Sequence, residues 1–177
     1  MTSEPTPHHK GSQMRLTVFT TAVATLMVVE PLSAQSSKPD FTPLEFLVGS
    51  CWTGTFPDGT QTDEHCFEWV FDRKFVRDRH KVRGAAPYDG ETLYWWDATK
   101  KQLTYWYGGS QGLVVNGHVE SKADSLVFPS KYAGADGEVE LKAVWVRTGQ
   151  DSYRVMNSER RKDSWKPLWN MDLTRKR

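Results

Sequence analysis

The sequence predicts an all-β domain: an antiparallel up-and-down β-barrel of about ten strands, with one short helix on its N-terminal side. Three observations predict it. From Ser50 onward, short runs rich in β-branched and aromatic residues recur every ten or twelve positions, separated by turn residues such as Pro57-Asp58-Gly59 and Gly149-Gln150-Asp151. No stretch after Gly49 sustains a 3.6-residue period, and none is long enough for a crossover helix. Strands in sequence order without helical layers close either as a barrel or as a sandwich, and a barrel removes the edges that aromatic-rich strands would expose. The barrel is therefore the favoured closure.

The elements follow in chain order. Residues 1–34 read as an N-terminal extension and a cleavable signal peptide. Arg15 precedes the apolar run from Leu16 to Val29, which is too short to span a bilayer, and Leu32-Ser33-Ala34 supplies small residues for cleavage after Ala34. Met14-Arg15 reads as the start, with residues 1–13 an extension. No Cys ends the apolar run, so no lipid anchor is expected. These features place the mature chain in the periplasm or outside the cell. Residues 35–48 form a linker and a short helix, Phe41 to Val48, with Thr42 as N-cap and Pro43 at the first helical position. Residues 49–177 form the barrel domain.

Its first hairpin comprises Gly49 to Phe56 and Thr62 to Phe71 around Pro57-Asp58-Gly59. Trp52, Gly54 and Phe56 share one face, and Phe67, Trp69 and Phe71 share one on the second strand. Both apolar faces lie on the same side only when an odd position pairs with an even one. About the Asp58-Gly59 turn, that register sets Cys51 beside Cys66 on the opposite face. Two cysteines in an exported chain favour a disulfide, so Cys51–Cys66 is expected. Pro57 lacks the N–H that a plain two-residue turn uses, so a bulge is expected there. The later strands are Phe75 to Arg83, Glu91 to Asp97, Leu103 to Tyr107, Leu113 to Glu120, Ser125 to Phe128, Glu138 to Arg147, Ser152 to Glu159 and Lys166 to Thr174.

Composition narrows the function. After Ala34 the chain holds 21 basic and 20 acidic residues, so no face is built mainly for phosphate backbones and no nucleic-acid partner is expected. The negative mean hydropathy argues against a polytopic membrane protein, and no integral membrane segment is expected in the mature chain. Of its 143 residues 21 are aromatic, more than a core of that size needs. The excess points to a pocket for a small hydrophobic or aromatic molecule.

Two motifs carry a family resemblance. Phe46-Leu-Val-Gly-Ser-Cys-Trp-Thr-Gly54 is similar to the opening of calycin-type barrels, and Tyr94-Trp-Trp-Asp-Ala-Thr-Lys-Lys-Gln-Leu-Thr-Tyr105 to their mid-barrel strand–turn–strand. The chain resembles exported lipocalin-like families of unknown function and, distantly, nitrobindin-like heme barrels. The resemblance implies that Trp52 closes the barrel floor against a C-terminal Arg, either Arg175 or Arg177. Two residues separate Gly49 from Trp52 where a lipocalin opening has one. Nitrobindin-like proteins hold heme through a late His, and no His follows His118 here, so heme is disfavoured.

Val76, Asp78, His80 and Val82 share a face of the third strand. If that face is internal, Asp78 can orient His80 and raise its pKa, as a general base requires; the alternative is a satisfied polar pair. His65 stands opposite Trp52 and is read as inward, with a core histidine as the alternative. The expected ligand-binding set is Trp52, Phe67, Trp69, His80, Tyr94, Trp96, Tyr105, Trp145 and Tyr153. Either face of the strands carrying Tyr94-Trp95-Trp96 and Tyr105-Trp106-Tyr107 is aromatic, so periodicity leaves the internal set open. Tyr153, Asn157 and Glu159 alternate on one face, which suits either the polar end of a cavity or an ordinary outward face. No nucleophile elbow, zinc-protease pattern or phosphate loop occurs, and neither a metal site nor a cofactor is expected. Three functions remain: a binding barrel, an enzyme using Asp78 and His80 as an acid–base pair, and an interaction module filled by its own rings.

Overall fold

The computed structural model describes residues 38–134 and 137–177; the signal peptide and its cleavage site lie outside the described residues. Ten strands form a closed antiparallel barrel: β1 (Ser50–Thr55), β2 (Gln61–Val70), β3 (Phe75–Gly84), β4 (Tyr88–Asp97), β5 (Gln102–Gly109), β6 (Val114–Lys122), β7 (Ser125–Gly134), β8 (Gly137–Gly149), β9 (Ser152–Arg161) and β10 (Ser164–Arg175). Each strand pairs with its sequence neighbours, and β10 returns to β1, so the ladder has no free edge.

Alternation decides which side chains enter. On β2, Asp63, His65 and Phe67 are buried; on β3, Val76, Asp78 and Val82; on β5, Leu103 and Tyr105; on β9, Tyr153 and Val155. The first hairpin has the register that the apolar faces require, with Cys51 beside Cys66 and Trp52 beside His65. The two cysteines form the disulfide on the outward side. Asp58 shapes the turn, accepting hydrogen bonds from the Thr60 amide at 3.0 Å and the Thr60 hydroxyl at 2.9 Å.

Three local expectations need correction. The predicted helix over Phe41 to Val48 is a single 3-10 turn at Thr42–Leu44, and Thr42 is no N-cap; its amide instead donates to Asp40 Oδ1 at 3.0 Å. So short a segment cannot offset helix nucleation, and it is held by packing, with Leu44 and Leu47 fully buried. Phe71 leaves the inner face. β2 ends at Val70, and Phe71, Asp72 and Arg73 all adopt positive φ in the turn, which turns the Phe71 ring outward at 68% exposure. β7 runs to Gly134 rather than stopping at Phe128, carrying Pro129 inside the strand. Proline has no N–H to give the ladder, and the β6–β7 pairs lie on either side of it, Gly117 with Ser130 and Glu120 with Val127.

One end of the barrel is filled. Trp52, Tyr153 and Leu173 are fully buried there, and Phe46 packs edge-on against both Trp52 and Tyr153. The Trp52 indole N–H donates to the Leu47 carbonyl at 3.1 Å, tying residues 41–48 to that end. Full burial of each large apolar side chain is worth about 1.5–3 kcal/mol.

Candidate functional site

The interior beyond this plug is a cavity of about 220 Å³. Its walls are aromatic and aliphatic: Tyr94, Tyr105, Phe128, Trp145, Val155 and Met171. Gly117 makes room for one of them. A Cβ at that position would lie 2.5 Å from the Tyr105 hydroxyl and 2.7 Å from the Pro129 carbonyl, so only a glycine lets the phenol lie against β6. A larger depression of about 1010 Å³ lies near the β9–β10 turn, lined by charged residues such as Arg160, Lys162 and Asp163.

The polar part of the cavity is built by β2 and β3. Asp63, His65 and Asp78 are buried, and the His80 side chain is 11% exposed. His65 pairs with His80 across the two strands, and the imidazoles stack at 4.2 Å between centroids. His65 Nδ1 lies 2.7 Å from Asp78 Oδ2, and its Nε2 lies 3.3 Å from Asp63 Oδ2. His80 Nε2 approaches Asp63 Oδ1 to 2.7 Å. That approach is off the line of a hydrogen bond, and neither atom has an aligned partner. Asp63, His65 and His80 each present one metal-ligating atom within 4.8 Å of the others.

Electrostatics follow from this packing. Burial by itself would push His65 down, but the Asp78 carboxylate, the hydrogen bonds to Asp63 and Asp78 and the Asp63 charge hold it up at about 10. Burial would raise Asp63, yet the His65 hydrogen bond and the close His80 imidazole keep it well below the usual carboxylate range. Tyr88 and Tyr107 also line the cavity, and burial raises both phenols, helped by the negative charge of Asp63. They remain neutral O–H groups near neutral pH.

No protein-family model matches the chain, and no curated protein matches it either. The functional reading therefore rests on the cavity.

Of the residues singled out from sequence, His80, Tyr94, Tyr105 and Trp145 line the cavity, as does Asp78. Trp52, Phe67 and Tyr153 instead belong to the buried core, while Trp69 and Trp96 pack against that core; none of the five is in the cavity lining. The ambiguity of the mid-barrel rings is resolved: Tyr94 and Tyr105 are inside, and Trp106 is 38% exposed. The proposed orientation of His80 by Asp78 is corrected, because the Asp78 hydrogen bond goes to His65. The direct cross-strand neighbour of Asp78 is Phe67, and its carboxylate reaches diagonally across to His65 on β2. Asn157 does line the cavity, whereas Glu159 lines the surface depression and pairs with Arg161 at 2.7 Å. Tyr107, one of the rings that periodicity leaves open, is inside, and Asp63 and Tyr88 line the cavity without being among the residues singled out. The signal for Asp63 was its alternation with His65 and Phe67 on a strand whose register was already determined.

Proposed function

We propose that this barrel binds a small, mostly apolar or aromatic molecule in its interior, in the manner of the lipocalin-like families whose opening motif it resembles. One observation carries the reading: a 220 Å³ cavity walled by rings and aliphatic side chains, with its polar groups gathered on the β2–β3 side. Liquid water takes about 30 Å³ per molecule, so the space suits a compound of one or two rings rather than a long acyl chain. The apolar wall supplies affinity, and the Tyr88 and Tyr107 phenols with the Asp63–His80 cluster orient a polar substituent. The signal-like leader and the Cys51–Cys66 disulfide support an exported protein.

Native mass spectrometry of the chain purified from an exporting host tests this reading. A co-purified mass of small-molecule size is expected, along with displaceable binding of a neutral naphthalene fluorophore. Ala143 lines the cavity, so Ala143→Phe is expected to fill it and weaken probe binding at least tenfold while near-UV circular dichroism persists. Neither a bound mass nor an Ala143-sensitive probe site would leave the barrel as a filled interaction module.

A second reading, acid–base catalysis, is favoured by the chain Asp78–His65–Asp63–His80, which could pass a proton to a bound substrate. Turnover of an ester or lactone that falls at least a hundredfold in His80→Ala would establish it. Unchanged ligand retention in that variant, with no turnover by the parent chain, would end it.

A further inference from the structure

The polar side of the cavity combines features that a small-molecule pocket does not require. Two buried carboxylates, Asp63 at 2% and Asp78 at 1% exposure, face two imidazoles, and among the described residues no Lys or Arg lines the cavity. Asp63 divides its carboxylate between the rings, one oxygen 3.3 Å from His65 Nε2 and the other 2.7 Å from His80 Nε2. The second contact leaves a buried carboxylate oxygen and a ring nitrogen close together without an aligned hydrogen bond. A close ion pair with so poorly aligned a hydrogen bond leaves both atoms available to a shared ligand.

The outer partner is also in place. Asp78 Oδ2 sits 2.7 Å from His65 Nδ1. With Nδ1–H donated to Asp78, His65 Nε2 points to the Asp63–His80 side, where a metal would take the place of the proton it shares with Asp63. Metal-binding histidines are commonly held by a carboxylate in this way.

We propose that Asp63, His65 and His80 form a binding site for a divalent transition metal, with Asp78 as the positioning residue acting through His65. Two nitrogen donors and one oxygen suit zinc or iron(II) far better than calcium or magnesium, which take oxygen ligands. The three donors come from adjacent strands on one side of the cavity. A metal held by them keeps coordination positions for water or for a donor group on a cavity ligand. The site stands on its own geometry, whether or not the cavity takes the apolar molecule proposed above.

The test uses the full chain, stripped with a chelator and titrated with zinc sulfate and, separately, with cobalt(II) chloride. One equivalent of zinc is expected to bind, and cobalt(II) to give visible ligand-field bands of a mixed nitrogen–oxygen site. Asp63→Asn and His80→Ala are each expected to weaken zinc binding at least a hundredfold. Asp78→Asn should weaken it roughly 10–100-fold and shift the cobalt bands, which a merely structural role would not do. His118→Ala, at an exposed histidine beside Glu120, should change neither. If Asp63→Asn fails to fold, His80→Asn, checked by near-UV circular dichroism, serves in its place. Absence of stoichiometric zinc binding by the folded parent chain would overturn the site. So would binding that survives in the Asp63 and His80 variants, or that disappears in His118→Ala. Probe binding in metal-free protein is read separately, so failure of the metal site and failure of the pocket are distinguishable.

Discussion

The Arg175 guanidinium lies over the Trp52 indole, its Cζ 4.4 Å from the ring centroid, and the two residues are register partners across β10 and β1. This contact joins the last strand to the first where the barrel closes. Arg175 also donates to Asp151 at 2.8 Å and to the Phe46 carbonyl at 3.3 Å, and it contacts the Ser50 hydroxyl. Arg175→Ala should therefore lower stability by about 1–3 kcal/mol, combining a lost cation–π contact with lost hydrogen bonds. Arg175→Lys should recover less than half, because an ammonium cannot serve the ring and several acceptors together. Urea unfolding followed by tryptophan fluorescence reads both variants. An unchanged midpoint in Arg175→Ala would show that the closure does not depend on this residue.

The disulfide makes a different kind of contribution. Cys51 and Cys66 are 15 positions apart and point away from the cavity, so their bridge acts on the unfolded chain more than on the site. In the chain-entropy model a loop of that length gives about 3 kcal/mol. The double variant Cys51→Ala/Cys66→Ala should lose up to that amount while keeping its affinity for an apolar probe. Structure that the Asp58–Thr60 turn retains in the unfolded chain would reduce the loss. Loss of probe binding in a variant that remains folded would show instead that the bridge shapes the cavity.

The barrel was readable because strand periodicity and turn chemistry act over a few residues. The Cys51–Cys66 register followed from the parity of two apolar faces together with the turn at Asp58-Gly59. The site was less readable because it depends on contacts across strands. Asp78 and His80 share a strand and a face, which periodicity detects, but the diagonal reach of Asp78 to His65 is a matter of register between β2 and β3. The rings divided for a similar reason. Trp52 and Tyr105 both face inward, but only depth along the barrel axis assigns the first to the plug and the second to the cavity, and alternation carries no information about depth. Phe71 shows the opposite limit, since backbone geometry in a turn overrode a regular apolar pattern.

Tyr153 is fully buried against Trp52 and Trp145, and among the described residues its hydroxyl has no hydrogen-bond partner. A buried hydroxyl without a partner carries its desolvation cost uncompensated. Tyr153→Phe keeps the ring and removes that cost, so it should be neutral or raise stability by about 1 kcal/mol. Tyr153→Ala should instead lose about 3–5 kcal/mol, as expected when a large core ring leaves a cavity. Thermal unfolding of the two variants reads the difference. A Tyr153→Phe variant destabilised by more than about 1 kcal/mol would show that the hydroxyl is satisfied within the folded protein.

The same burial predicts how the fold fails in alkali. Tyr94 and Tyr153 have phenol pKa values held well above the usual value near 10, first by burial and then by repulsion from Asp78. Tyr105 is raised too, by burial. The sign follows from linkage. Above about pH 10 an unfolded chain gives up these protons while the folded barrel keeps them, so the unfolded state binds fewer protons and stability falls as pH rises. Near neutrality both states hold their phenolic protons, and these groups add no pH dependence. Absorbance at 295 nm should therefore show most tyrosines silent near pH 10, then ionising together at higher pH in step with the loss of near-UV circular dichroism. In Tyr153→Phe the alkaline transition should move to higher pH, because one of the protons that drives it is gone. Free titration of Tyr94, Tyr105 and Tyr153 near pH 10 with the barrel intact would contradict their placement inside it.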